Sequence, residues 1–297
     1  MIETTAFPLQ AWWLAARPRT LPAAAAPVFV ATAFALRDGV FHWPPALVCL
    51  LISLLMQIGA NFANDLFDNE RGTDTPDRLG PTRVTAAGLI SPAQMRWGTA
   101  LVFGLALLLG LYLVWLRGWP ALILGLAILV AALTYTGGPF PYGYYALGDL
   151  FVFLSFGLAA VCGSYYVQSG RLTPAIVWAS LPSGLLIINI LVVNNTRDIS
   201  TDAVAGKRTL AVLFGRQAML TEYLLCLMLA YLVPLGLWTF GLASIGGLLT
   251  WLSLPQAVLV YREFSLTEGR ALNRILAATA QLALIHALLF SLGVLLF

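Results

Sequence analysis

The stretch WPPALVCLLISLLMQIGANFANDLFD, residues 43–68, decides the fold. It holds no charged residue from Trp43 to Asn64 and then delivers two aspartates, Asp65 and Asp68, in quick succession. An apolar run of roughly 20 residues is what a helix needs to cross a bilayer. Residues three or four apart share a helix face, so Asn61, Asn64 or Asp65, and Asp68 form one polar stripe where this helix leaves the apolar layer. Working outward, the same kind of run recurs. Candidate spans lie near 21–36, 43–63, 97–116, 119–136, 147–167, 175–193, 219–238, 241–260 and 275–297. The expected fold is therefore all-α: a polytopic membrane bundle of about nine transmembrane helices in a single domain over 1–297.

Composition supports this. Of the 297 residues 60% are hydrophobic and 10% charged, with a mean hydropathy of +0.87. Soluble chains carry about 25% charged residues, so this chain lacks the polar surface to cover a water-facing core. With nine spans, thirteen of the sixteen Lys and Arg residues fall in the segments on the N-terminal side of the membrane, leaving only Arg37, Arg117 and Arg171 on the other. Basic residues accumulate in cytoplasmic segments, which places the N-terminus in the cytoplasm. Trp12 and Trp13 read as an interfacial lead-in to the first span. The three cysteines, Cys49, Cys162 and Cys226, lie in apolar runs with no metal-binding spacing and read as small packed hydrophobes. No nucleic-acid partner is expected.

Two cytoplasmic connections, about 64–96 and 194–216, are long and polar and hold seven of the thirteen acidic residues. Long polar connections in a compact protein are usually functional. They follow the second and sixth candidate spans, a spacing that suggests an internal repeat of four helices plus a ninth. The acidic cluster that leads into the first reads Asn61, Asn64, Asp65, Asp68 and Asp74. In the second, NNTRDISTD (194–202), Asn194, Asp198 and Asp202 are spaced by four and share one face, with Asn195 beside them. An aspartate at the centre of a membrane helix costs about 2.5–3.5 kcal/mol, and these residues avoid that cost by sitting at helix ends. Gathered together they repel one another and call for a cation. Carboxylates with amide oxygens are hard donors suited to Mg2+, which takes one or two protein carboxylates and completes its shell with water and phosphate oxygens. Two such clusters facing one cavity would hold a diphosphate through metal ions, with Arg78, Arg83, Lys207 and Arg208 neutralising the remaining charge.

At these residues a resemblance enters. NDLFD (64–68) and RDISTD (197–202) resemble the two aspartate-rich motifs of the UbiA superfamily of intramembrane aromatic prenyltransferases. WLAARPRTLPAAAAPV (13–28), RGTDTPDRLGPTR (71–83), YTGGPFPYGYYALGD (135–149), SYYVQ (164–168) and NNTRDISTDAVAGKRTL (194–210) are similar to the branch that prenylates 1,4-dihydroxy-2-naphthoate. The superfamily often has an aspartate four residues after its second one. Here that position is Gly72, and the role passes to Asp74. The YPxxKR stretch of 4-hydroxybenzoate enzymes is absent after Tyr135, and Asp149 stands where this branch carries glutamate. The resemblance implies a central cavity open to the cytoplasm and to lipid, with Asp65, Asp68, Asp74, Asp198 and Asp202 on Mg2+ and Asn64 and Asn195 assisting. It implies a polyprenyl diphosphate donor and dihydroxynaphthoate as acceptor, and a bacterial inner-membrane location. Asp149 would orient or deprotonate the acceptor. Tyr135, Phe62 or Tyr165 would stabilise an allylic cation, although packing is the commoner role for each. Other acceptors (homogentisate, 4-hydroxybenzoate, a chlorophyll precursor) stay open. From other classes, a transporter would need ionisable groups in the span interiors, which are nearly free of them. A non-catalytic lipid- or quinone-binding protein would have no use for two metal-ready clusters.

Overall fold

The computed structural model describes residues 8–73 and 78–296; Asp74 lies outside them. The described residues form helices α1 (Pro8–Ala16), α2 (Leu21–Arg37), α3 (Trp43–Glu70), α4 (Pro92–Arg117), α5 (Trp119–Thr134), α6 (Gly148–Val152), α7 (Gly163–Ser169), α8 (Pro174–Arg197), α9 (Ile199–Val204), α10 (Leu210–Thr239), α11 (Leu254–Leu266) and α12 (Leu272–Leu296). The fold is all-α, as expected. Among the described residues, seven helical stretches are long and apolar enough to cross a membrane. Two further apolar candidates depart from that criterion. Trp119–Thr134 is short, and the eighth is a 3-10 segment, Ile245–Ser253, running into α11. The expected count of nine is thus not met by length alone.

The helix starts follow local chemistry. Ser91 caps α4 through its hydroxyl and the Gln94 backbone N–H (3.3 Å), while Gln94 accepts from the Ser91 N–H (3.0 Å), a reciprocal capping box. Thr173 and Thr209 cap α8 and α10. Prolines cluster in the first turns of α2, α3, α4, α5, α8 and α11, where a missing N–H costs nothing. Both acidic motifs lie at helix ends, as their spacing implied, but the helices run further than the candidate spans ending near 63 and 193. α3 runs 28 residues to Glu70, so Asn61 to Asp68 lie on the helix itself. α8 likewise continues to Arg197, with Asp198 at the joint before α9.

The core explains how these elements hold together. α8, α10, α11 and α12 share a cluster centred on Leu186, Val193, Tyr223, Phe264 and Ile275. A second cluster, including Phe34, Tyr165, Ile176, Leu237 and Phe290, joins α2 to α7, α8, α10 and α12 and closes the bundle between its first and last long helices. Between α6 and α7 the chain runs as a π-helix over Phe153–Cys162. Such wide turns tend to occur at functional sites. This one contributes Ser155, Phe156, Ala159 and Ala160 to the central cavity. On its other side Gly157 meets Gly184 of α8 so closely that a Cβ on Gly157 would lie 3.1 Å from the Gly184 Cα.

The outer surface is that of a membrane protein. Ile123 and Val130 on α5, Leu225, Leu229 and Leu232 on α10, and Val258 and Leu259 on α11 are exposed, with Trp97, Trp115 and Trp119 exposed at the ends of α4 and α5. Eighteen residues separate the first two tryptophans, about 27 Å of helix, which approximates the bilayer hydrocarbon thickness with aromatic residues at both interfaces.

Candidate active site

A cavity of about 1070 Å³ opens beside α3 and is lined by α3, α4, α5, the π-helix, α8 and the 135–144 turn. Its walls are apolar: Leu105, Leu108, Leu124, Phe156, Ala159 and Ile190 are typical. Its far end is closed by Val28, Cys49 and Val167, a small packed cluster. Its near end is polar and gathers Asn61, Asn64, Asp68, Arg78, Arg83, Tyr135, Asn194, Asn195, Asp198, Asp202 and Lys207 around one space. The sequence placed these eleven in one site, and the folding of α3 and α8 brings them together.

The charges at this end are closely balanced. Asp68 is 1% exposed. Its Oδ2 accepts from Arg83 Nη2 at 2.5 Å and its Oδ1 from the Tyr144 hydroxyl at 2.7 Å. The Lys207 ammonium stands 3.6 Å from Asp68 Oδ1 and 3.6 Å from Asp202 Oδ1, so one side chain spans both acidic motifs. It also lies 4.6 Å from the centre of the Tyr144 ring, a cation–π contact. Burial, and then Asp68 beside it, push the Tyr144 phenol up, so it stays protonated and a donor. Burial pushes Asp202 up to about 6, with Lys207 opposing and Asp198 and Asp68 assisting. Asp198 is gripped by its neighbour: Arg197 donates from Nε to Oδ1 (2.8 Å) and from Nη2 to Oδ2 (2.5 Å), and from Nη2 to Asn194 Oδ1 (2.8 Å). Asn64 accepts from the Thr136 hydroxyl at 2.8 Å, which ties α3 to the 135–144 turn.

Several expected site residues stand elsewhere. Asp65 does not line the cavity; its carboxylate accepts the backbone N–H groups of Val84 (3.1 Å) and Thr85 (2.9 Å) and is 1% exposed. Adjacent helical residues point about 100° apart, so once Asn64 and Asp68 face the cavity, Asp65 faces the 78–90 loop. Asn61 lines the cavity, but its amide donates to the Ala16 carbonyl (2.9 Å) and the Thr20 hydroxyl (3.1 Å), fastening the α1–α2 break to α3. Arg208 has an exposed side chain and donates its N–H to the Tyr144 carbonyl. Asp149, at the start of α6, is buried and stands outside the lining. A Cβ on the adjoining Gly148 would come 3.6 Å from the Tyr135 ring, so Asp149 follows a residue that borders Tyr135 but does not itself line the cavity. Phe62 packs against Trp12 instead, and Tyr165 donates to Asp38 at the opposite end of the bundle. The aromatic rings in the cavity are Tyr135, Tyr142, Tyr144, Phe151, Phe156 and Trp97.

Sequence reading gave no role to Arg17, Thr136, Tyr144 or Arg197. Arg17 occupies the break between α1 and α2 with φ 50°, left-handed backbone that non-glycine residues adopt only when the surroundings hold them there. It lines the cavity, and its buried Nη2 has no hydrogen-bond partner among the described residues. The signal was the RPRT turn at 17–20, where a proline follows a charged residue just ahead of an apolar run.

Among the described residues no three His, Cys, Asp or Glu side chains stand close enough to hold a metal ion by themselves. The hard oxygen donors at the polar end (Asp68, Asp198, Asp202, Asn64 and Asn195) fit a cation that arrives with phosphate oxygens and water in its own shell, which is how Mg2+ is usually bound.

An all-helical membrane bundle with an acid-and-base mouth over an apolar groove is the architecture of an intramembrane enzyme. The chain belongs to the UbiA prenyltransferase family, whose profile matches residues 24–285. It is 40% identical to the Escherichia coli 1,4-dihydroxy-2-naphthoate octaprenyltransferase, over 96% of this chain and 95% of that one. It is 37% identical to the Haemophilus influenzae protein of the same name, over 97% and 96%. Among solved structures, a UbiA homolog from Archaeoglobus fulgidus bound to GPP and Mg2+ superposes with a TM-score of 0.67 over 96% of this chain and 99% of that chain, at 15% identity.

Proposed function

We propose that this protein transfers the prenyl group of a polyprenyl diphosphate to 1,4-dihydroxy-2-naphthoate, releasing diphosphate and carbon dioxide. The observation that carries the reading is Lys207, 3.6 Å from Asp68 and 3.6 Å from Asp202 at the mouth of an apolar cavity. This supports a diphosphate at the junction of the motifs with its tail among α4 and α5. The names of the 37% and 40% identical relatives supply the acceptor.

Mg2+, when bound, supplies positive charge to the leaving diphosphate. Asp68, Asp198 and Asp202 would hold it, with Asn64 and Asn195 alongside; a part for Asp74 rests on the family resemblance alone. Arg17, Arg78, Arg83 and Lys207 face the same space and stabilise the departing negative charge. The carbon–oxygen bond of the donor breaks with its electron pair leaving on the diphosphate. Tyr135 and Tyr142 offer aromatic rings to the allylic cation, and the apolar wall excludes water that would trap it as an alcohol. The electron-rich ring carbon of the acceptor attacks, and loss of carbon dioxide returns the electron pair to the ring. Asp149, which does not line the cavity, acts at most through Tyr135. The thirteen-to-three distribution of basic residues supports an active site facing the cytoplasm from a bacterial inner membrane.

The test is a purified sample in nanodiscs given dihydroxynaphthoate, labelled octaprenyl diphosphate and Mg2+. Prenylated naphthoquinol that vanishes with EDTA, with Asp68→Asn and with Asp198→Asn supports the reading. Product from homogentisate or 4-hydroxybenzoate, and none from dihydroxynaphthoate, would replace the acceptor and keep the reaction class.

A further inference from the structure

α12 carries Asn273 on its first turn, 76 residues from Arg197 and 194 from Leu79 in sequence. Its side chain touches both. The amide oxygen accepts from Arg197 Nη1 at 2.7 Å, and the amide nitrogen donates to the Leu79 backbone carbonyl at 2.9 Å. Arg197 is the side chain that grips Asp198 at both carboxylate oxygens. Leu79 lies between Arg78 and Arg83, in the loop that descends from α3. That loop rests directly on the guanidinium: a Cβ on Gly80 would come within 2.8 Å of Arg197 Nη2. At its other end it is held by Asp65 through the Val84 and Thr85 N–H groups, which puts Arg83 against Asp68. Asn273 itself does not line the cavity.

We propose that Asn273 is a positioning residue that latches the cation-bearing loop to the Arg197–Asp198 pair, joining the two acidic motifs through the last helix. It touches neither head group nor tail. It fixes the rotamer of Arg197, and so the direction of Asp198, and it fixes the height of the loop over the mouth. Partners that orient a metal-binding carboxylate change metal affinity by about 10–100-fold when removed. The catalytic half of the proposal rests on the transferase reading; the latch itself does not.

Two variants separate the arms. Asn273→Ala removes both. Asn273→Asp still accepts from Arg197 but has nothing to donate to the Leu79 carbonyl. In nanodiscs without substrate, hydrogen–deuterium exchange across 78–90 reports the loop; with substrate, the Mg2+ titration and the split between KM and kcat report Asp198. In Asn273→Ala, loop exchange should rise about tenfold, and half-saturating Mg2+ should rise about tenfold with kcat at saturation changed about twofold or less. Asn273→Asp should show the fast loop with a near-normal Mg2+ requirement. Loop exchange unchanged in both variants overturns the latch. A fast loop with an unchanged Mg2+ requirement in Asn273→Ala overturns the coupling to Asp198. If Asn273→Ala does not fold, the near-isosteric Asn273→Asp alone decides: a loop as protected as in the unaltered protein ends the proposal. If the unaltered protein transfers no prenyl group, the transferase reading falls while loop exchange still decides the latch.

Discussion

Asp65 and Asp68 are three residues apart and both 1% exposed, yet they do opposite work. Asp68 faces Arg83, Tyr144, Lys207 and the cavity, whereas Asp65 is spent on two backbone N–H groups. Replacement should separate them. Asp68→Asn removes the charge that meets the cation and should lower kcat/KM by about 100-fold or more, the scale of losing one preorganised electrostatic group; because it also takes the carboxylate from the buried Arg83 guanidinium, it should lower the unfolding temperature as well. Asp65→Ala strands two buried donors and should cost about 1–3 kcal/mol of stability for each, seen as a lower Tm and faster proteolysis of the 78–90 loop. Asp202 adds a pH signature. Burial holds its carboxyl up at about 6, above its value in the unfolded chain, so the proton is retained in the folded state and competes with the metal. The half-saturating Mg2+ concentration should therefore climb as pH falls below about 6 and flatten above it. Asp202→Asn should abolish that dependence. An unchanged Mg2+ profile between pH 5 and 7 would contradict the placement.

At the scale of elements, close approach sets the shape of the cavity. α8 can lie against the π-helix because Gly157 and Gly184 face each other. A Cβ on Gly184 would meet Phe153 at 2.6 Å and the Gly157 Cα at 3.2 Å. Gly184→Val should push the π-helix outward and cost about 1–3 kcal/mol, the usual penalty of overpacking. The contact between α12 and the 3-10 segment is tighter still, with a Gly293 Cβ falling 1.9 Å from the Gly246 carbonyl oxygen. Gly293→Ala should lower thermal stability more than Gly104→Ala, where nothing lies within 4 Å. Thermal unfolding of the three variants in one detergent checks the order. None of this was legible in the sequence, because a glycine in an apolar run has no periodicity to show which neighbour it will meet. The long helices were legible, since uninterrupted apolar runs of the right length have few other folds. Their cytoplasmic ends were drawn short because the acidic motifs read as polar connection, although Asn and Asp near a helix end still pair their backbone along it. Spacing by three and four put Asn61, Asn64, Asp68, Asn194, Asp198 and Asp202 at one mouth. It left Asn64 and Asp65 as alternatives on neighbouring faces, and only the position of the 78–90 loop resolves them. Asn273 was missed because its partners, Arg197 and Leu79, lie 76 and 194 residues away in the chain; Arg197 was passed over although the carboxylate it grips is the next residue.

At the scale of the whole molecule, the chemistry and the membrane impose one common direction. The reacting head groups are charged and need water on the side from which they arrive, while the tail and the allylic cation need a dry wall. The cavity meets both demands, with its charged end at the termini of α3 and α8 and its far end closed by Val28, Cys49 and Val167. The uneven basic residues support the proposal that the charged end faces the cytoplasm, and this can be measured without any substrate. The native cysteines are all buried, so a cysteine-free background should fold with small losses and give a silent reference. Val204, 88% exposed beside Asp202, and Leu172, 53% exposed in the turn before α8, stand on opposite faces. In that background, Val204→Cys should react with a membrane-impermeant maleimide only in inside-out vesicles, and Leu172→Cys only in right-side-out vesicles. The reverse pattern would place the diphosphate mouth outside the cell, away from a cytoplasmic donor. Equal labelling of both positions in both preparations would mean that the chain inserts in two orientations, and the charge asymmetry would then have lost its explanation.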